Sequence, residues 1–166
     1  MWKKLAVILM AVVSVQATCN YTFKDISVPP EVKTIRVNYF ENKARYVNPQ
    51  LSPQLTDKLK QKVISQTRLT VINGEDAHYD VGGYVSDFSV NTSGISGSQV
   101  SSNNLNITIH IIFKNRLNAK KDFETDVTRN FPFPASLSFT DAQNSLMEDI
   151  LKNVTEDIFN KVFSDW

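Results

Sequence analysis

One cysteine, two histidines and a single short apolar run bound this chain of 166 residues before any motif is read. The lone cysteine, Cys19, excludes an internal disulfide framework. With only His78 and His110 available, there is little imidazole for metal binding or for activating a nucleophile. The 18 basic residues nearly balance the 17 acidic ones, for a net charge of +1. Nothing in that balance attracts nucleic acid, so an anionic partner would have to be met by a local patch. There is no internal repeat and no second long apolar segment, which argues against a solenoid and against a membrane-spanning helix further along the chain.

What is present begins at the amino terminus. Met1-Trp2-Lys3-Lys4 is a positively charged lead, Leu5 to Val15 is small and apolar throughout, and polar residues resume at Gln16. That is the pattern of an export signal. Its apolar stretch is about half of the roughly 20 residues a helix needs to cross a bilayer, so removal is expected rather than retention as an anchor. Cys19 stands directly behind it. In an oxidising compartment a lone thiol is inert, bridges to another molecule, or is a site of modification, and position favours the third. Bacterial lipoproteins are cut just before a cysteine that is then acylated. Here Gln16-Ala17-Thr18 precede it, with small residues in two places and no leucine in the third. Ordinary cleavage after Ala17 is the competing reading, with Val15 and Ala17 as the small-residue pair. The expected division is a signal peptide over residues 1–18 and one folded domain over 19–166, long enough to bury about 68–70% of its unfolded surface without disulfides or metals.

The domain is legible through its periodicities. After Pro29-Pro30, Ile35, Val37 and Tyr39 alternate with polar residues over Val32–Phe40, predicting a half-buried strand. Ser52 and Pro53 read as the cap and first position of a helix in which Leu55, Leu59 and Val63 recur every four residues, ending near Gln66. Leu69–Ile72 and Tyr79–Val90 read as a strand or a broken pair, with Tyr79, Val81, Gly83 and Val85 on one face and Gly82-Gly83 marking a bulge or close packing. The Ser-, Gly- and Asn-rich stretch from Asn91 to Asn104 reads as a loop. Alternation is clearest in Leu105, Ile107, Ile109, Ile111 and Phe113, and Phe123, Thr125 and Val127 repeat it after a polar turn, giving an antiparallel hairpin. Thr140, with Gln143 three residues on, reads as a capping box opening a terminal helix striped by Met147, Ile150, Leu151, Val154, Ile158 and Val162. The predicted class is α+β, a two-layer α/β sandwich in the order β-α-β-β-β-α, with two helices on one face of a mixed four-stranded sheet. The other face, with Arg36, His110, Lys114, Asp122, Glu124 and Asp126, is left to water or to a partner.

Catalytic residues are scarce. His78 falls in a turn and His110 on a polar strand face, both read as solvent-exposed, and neither has a third group to complete a triad. Glu75, Asp76, His78 and Asp80 lie close together without the spacing of a familiar metal site. Sequons begin at Asn20, Asn91, Asn106 and Asn153, the third inside a strand. The basic residues say more: Lys114, Arg116, Lys120 and Lys121 crowd the turn between the last two strands, and Lys43 and Arg45 occupy the loop before the first helix. Such charges either solvate a turn or form an anion site, in which Arg binds phosphate as a fork and Lys as a point charge.

The runs Ser27-Val28-Pro29-Pro30-Glu31-Val32-Lys33-Thr34-Ile35, Tyr39-Phe40-Glu41-Asn42, Asn48-Pro49-Gln50-Leu51-Ser52, Leu55-Thr56-Asp57-Lys58-Leu59 and Gln66-Thr67-Arg68-Leu69 resemble the LptE family of lipopolysaccharide-assembly lipoproteins. The ending Glu156-Asp157-Ile158-Phe159-Asn160-Lys161-Val162-Phe163-Ser164-Asp165-Trp166 resembles it too, as does the position of Cys19. The resemblance implies two helices on a four-stranded sheet and a non-enzymatic part of the outer-membrane lipopolysaccharide (LPS) translocon, with no cofactor and no nucleic acid. It implies a lipid anchor at the periplasmic face of the outer membrane and two partners, the LptD β-barrel, which such proteins plug and help to assemble, and lipopolysaccharide, whose phosphates would meet Lys114, Arg116, Lys120 and Lys121. A scaffold or pilot lipoprotein for another outer-membrane pore, and a secreted hydrolase using His78 or His110, are the alternatives from other classes.

Overall fold

Two long strands, β4 (Tyr79–Ser96) and β5 (Gln99–Asn115), form the spine of the fold. They pair antiparallel, in a register that sets Val81 against Phe113, Val85 against Ile109, Phe88 against Ile107 and Val90 against Leu105. Because side chains alternate across a strand, these apolar pairs share one face, and every one of them except Val90 is fully buried. That face must be covered. The cover is α1 (Leu51–Gln66), through Leu51, Leu55, Leu59 and Val63, and α2 (Phe139–Phe163), through Ile150, Leu151, Val154, Ile158 and Val162. In this computed structural model the described residues are 28–96 and 99–163, so the export segment, Cys19 and Asn20 lie outside them.

The sheet is mixed, and the class is the two-layer α+β arrangement that the periodicities predict. β1 (Thr34–Val37) runs parallel to both β3 (Thr70–Val71) and β4, and β6 (Phe123–Pro134) closes the far side antiparallel to β5. The order is β3-β1-β4-β5-β6, with β2 (Glu41–Asn42) pairing β4 further along, so six strands stand where four were expected. One extra strand is β3, separate from β4; the other, β2, follows a break after the first strand. Tyr39 does not continue the inward series and is 56% exposed, while Phe40 is fully buried. Phe40 is held there by its own backbone: its N–H donates to Thr56 Oγ1 at 3.2 Å, and that hydroxyl donates to the Ser52 carbonyl at 2.8 Å.

Three local expectations are corrected. Asn91–Asn104 is not a loop, since the β4–β5 ladder continues through Asn91↔Asn104 and Thr92↔Asn103. Ladder hydrogen bonds need no apolar side chains, and β6 runs beside this stretch well past Val127, pairing Phe131 with Leu105 and Phe133 with Asn103 and burying both aromatics. The helices also begin earlier than predicted. α1 opens at Leu51 behind Gln50, and Ser52 lies buried inside it. α2 is capped by Ser138, whose hydroxyl accepts the Asp141 N–H at 3.2 Å and donates to the Asp141 carboxylate at 2.6 Å. The register of Gly82-Gly83 is regular, and the irregularity falls between Val85 and Asp87.

Gly83 serves close packing instead. Its φ of +153° is closed to most side chains, and a Cβ there would sit 2.0 Å from the His110 carbonyl oxygen and 3.0 Å from the Phe40 ring. Gly83→Ala is expected to destabilise the fold by about 1–3 kcal/mol through backbone strain alone, with the clash adding to it. Urea unfolding should show a lower midpoint with an unchanged slope.

Candidate anion-binding site

Strand register builds a charged row across the uncovered face of the sheet. Arg36 on β1 lies opposite Asp80 on β4, and Asp80 lies opposite Lys114 on β5. The Asp80 side chain is only 9% exposed. A carboxylate so far from water needs partners, and it has them. Arg36 donates to Oδ2 through Nε at 3.1 Å and also through Nη2, and Asn38 donates to Oδ1 at 2.5 Å. Arg116 adds a second cationic approach, with Nη2 at 3.8 Å from Oδ2. The hydrogen bond to Asp80 raises the Arg36 guanidinium above its ordinary value, partial burial opposes it, and the charges of Asp80 and Glu75 add to it.

The sheet dips at the centre of this row. Gly82 and Gly83 carry no side chains to fill the surface, leaving a depression of about 230 Å³ walled by Arg36, Asn38, Ile112 and Lys114. At Gly82 a Cβ would come within 3.1 Å of the Asn38 amide, a tight fit that a small shift of Asn38 would relieve. Lys114 is exposed at the rim. Two guanidinium groups thus converge on one buried carboxylate, Lys114 stands at the rim, and the exposed Glu75 lies 3.9 Å from Arg36. The surplus is positive, and fixed guanidinium groups suit a phosphate.

The turn that carries Arg116 is held by its own polar residues. Asn115 Oδ1 accepts the N–H groups of Leu117 and Asn118, each at 3.0 Å, and Asp122 accepts the Asn115 N–H at 2.7 Å. A single turn of 3-10 helix, Ala119–Lys121, follows. Of the four basic residues singled out by sequence, Arg116 approaches Asp80 and Lys114 lines the depression opposite it in register, while Lys120 and Lys121 lie further round the turn, exposed. Asp122 works inside the turn instead of lying on the open sheet face. Arg36, Asn38 and Asp80 were not read as a site, because they are distant from Lys114 in sequence and only strand pairing unites them. The hint available was their shared polar phase on two strands.

The histidines are structural and half-buried, not solvent-exposed as expected. His78 Nδ1 accepts the Lys33 N–H at 3.0 Å, and His110 stacks on Tyr84 with ring centres 4.9 Å apart. His110 Nδ1 lies 2.8 Å from Asp126 and Nε2 lies 3.5 Å from Glu124, while Lys43 sits 4.3 Å above the Tyr84 ring. Glu75, Asp76, His78 and Asp80 do not converge, and among the described residues no group of three or more His, Cys, Asp or Glu is placed to hold a metal. Arg45 is exposed, Asn91 and Asn106 lie in strands, and Asn153 sits on α2, donating to the Asp149 carbonyl at 2.7 Å.

Residues 32–162 match the family model described as LptE, lipopolysaccharide-assembly. The fold is similar to that of a minor lipoprotein from Acinetobacter baumannii, at 14% identity and a TM-score of 0.54, covering 80% of this chain and 94% of that one. It is also similar to an uncharacterized lipoprotein B from Nitrosomonas europaea, at 17% identity and a TM-score of 0.51, covering 78% and 85%. A hypothetical protein from Chlamydia trachomatis shares the fold at 6% identity and a TM-score of 0.53, covering 78% and 96%. Among curated proteins nothing matches.

The electrostatics of the depression are testable. Asp80→Asn keeps the size of the side chain and removes the opposing charge; its oxygen can still accept from Arg36 while its NH2 donates to a flipped Asn38 amide, so affinity for inorganic pyrophosphate should rise about fivefold by calorimetry. Lys114→Ser with Arg116→Ser should lower it.

Proposed function

The chain belongs to the LptE lipopolysaccharide-assembly family, and from that membership we propose that it is a non-enzymatic lipoprotein of the outer-membrane lipopolysaccharide translocon. In this reading the signal peptide is removed, Cys19 is acylated, and the domain is held at the periplasmic face of the outer membrane. There it plugs an LptD-like β-barrel, assists its assembly, and helps pass lipopolysaccharide to the outer leaflet. The observation that carries the reading is the family match over nearly the whole described domain.

The physical properties support it. Among the described residues no helix is long and apolar enough to cross a membrane. A domain with one sheet face left polar suits the wet lumen of a large barrel, whose interior is polar while its outer wall faces lipid. Several acyl chains on one cysteine would hold it firmly, since a single chain gives only marginal binding. The phosphates of lipid A are the anions that Lys114, Arg116 and Arg36 would meet, with Lys120 and Lys121 extending the field around the turn. The role asks for shape and charge, and no bond is made or broken.

Purification of the membrane-extracted protein is expected to bring with it a stoichiometric LptD-like barrel. A different pore protein in its place would indicate a pilot lipoprotein, and recovery alone would count against both. Cys19→Ser is expected to move the protein into the soluble periplasmic fraction. Replacing Lys114, Arg116, Lys120 and Lys121 by Ser should weaken lipopolysaccharide binding in a salt-sensitive manner with little change in stability, since exposed turn charges contribute within about 0.5 kcal/mol each.

A further inference from the structure

A second, larger depression opens at the end of the domain where the chain enters it. About 520 Å³ lies between the segment Val28–Lys33, which leads into β1, and Ser65–Leu69, at the end of α1. Its apolar lining comes from Val28, Pro29, Pro30 and Leu69, and its cations are Lys33 and Arg68, both exposed. Neither cation makes an ion pair among the described residues, whereas Arg36, Lys62 and Arg129 are each bonded to a carboxylate. Glu31 is the acid of this segment, and it does not line the groove.

The position of this groove limits what it can meet. Val28, in its wall, follows Cys19 by nine residues. Fully extended, nine residues reach about 30 Å. A domain anchored through Cys19 therefore carries this groove at or near the bilayer surface, with unpaired cations beside apolar side chains. The basic turn lies at the same end of the sheet, since Asn115 pairs with Tyr79 and Tyr79 with Ile35, one residue into β1.

We infer that the groove between Val28–Lys33 and Ser65–Leu69 is a docking site for an anionic phospholipid headgroup of the membrane that holds the anchor, with Lys33 and Arg68 contacting the phosphate and the proline-walled floor meeting the glycerol and upper acyl region. Two charges suffice for such a role when a covalent tether already keeps the surface close, because the headgroup contact then sets orientation and need not supply the whole affinity. The site goes beyond the lipopolysaccharide role and uses none of the residues around Asp80. Its geometry rests on the anchored reading given above.

The test uses the exported full chain carrying Cys19→Ser, so that no acyl group contributes, in sedimentation with vesicles at low ionic strength. Binding is expected to vesicles containing phosphatidylglycerol and not to vesicles of phosphatidylcholine alone. Lys33→Ser with Arg68→Ser should weaken it about 25-fold, about fivefold for each cation removed, with unchanged circular dichroism. Lys114→Ser with Arg116→Ser should retain most of it. Equal binding by the Lys33/Arg68 variant, or an equal loss in the Lys114/Arg116 variant, would overturn the inference. So would displacement from the vesicles by millimolar inorganic phosphate, which marks a free-anion site, or weakening of lipopolysaccharide binding by the Lys33/Arg68 substitutions with vesicle binding untouched. Because the assay uses no anchor, a negative result leaves the lipoprotein reading standing.

Discussion

The covering of a single sheet face governs this molecule. Along β4 and β5 the apolar residues keep strict phase from Tyr79 to Val90 and from Leu105 to Phe113, interrupted only by the irregularity after Val85. Both helices are thereby assigned to the same side, and Arg129 on β6 reaches across to Asp157 on α2 from that side. With the inner face committed to packing, the outer one is left free for charge. Arg36, Asp80 and Lys114 can stand in one row because no described element packs over them, and Gly82-Gly83 opens the dip between them at the cost of restricting position 83 to glycine.

The parts of the fold that were legible from sequence are those where packing imposes a period. Ile107, Ile109 and Ile111 announce a strand, and Leu55, Leu59 and Val63 a helix, because each must bury one side. The outer half of the β4–β5 hairpin was not legible. Its Asn, Ser and Thr side chains carry no alternation, and what holds it is backbone pairing together with Phe131 and Phe133 from a strand whose Pro132 and Pro134 masked it. Phe40 was misphased for a related reason, since the bond from its N–H to Thr56 is invisible to a pattern of hydrophobicity.

The candidate site divides in the same way. Lys114 and Arg116 stood out because they are neighbours in sequence, whereas Arg36 and Asn38 reach the same carboxylate only through the pairing of β1 with β4. The acid that organises the cluster, Asp80, had been grouped with Glu75, Asp76 and His78 by proximity along the chain. Strand alternation sends Asp80 to the open face while His78 ties the turn to Lys33. Glu75, Asp76 and His78 belong to the turn before β4, and only Asp80 lies in the strand, where cross-strand pairing joins it to residues distant in sequence.

The chain enters at the start of β1, a strand flanked on both sides by parallel partners, β3 and β4. The end of the β4–β5 ladder at Ser96 and Gln99 lies at the opposite end of the sheet. A pull between the start of β1 and that end would run along the strands, so the bonds of β1 would be loaded together in shear instead of being unzipped one after another. A load applied along the strands would therefore be shared by the whole β1 ladder.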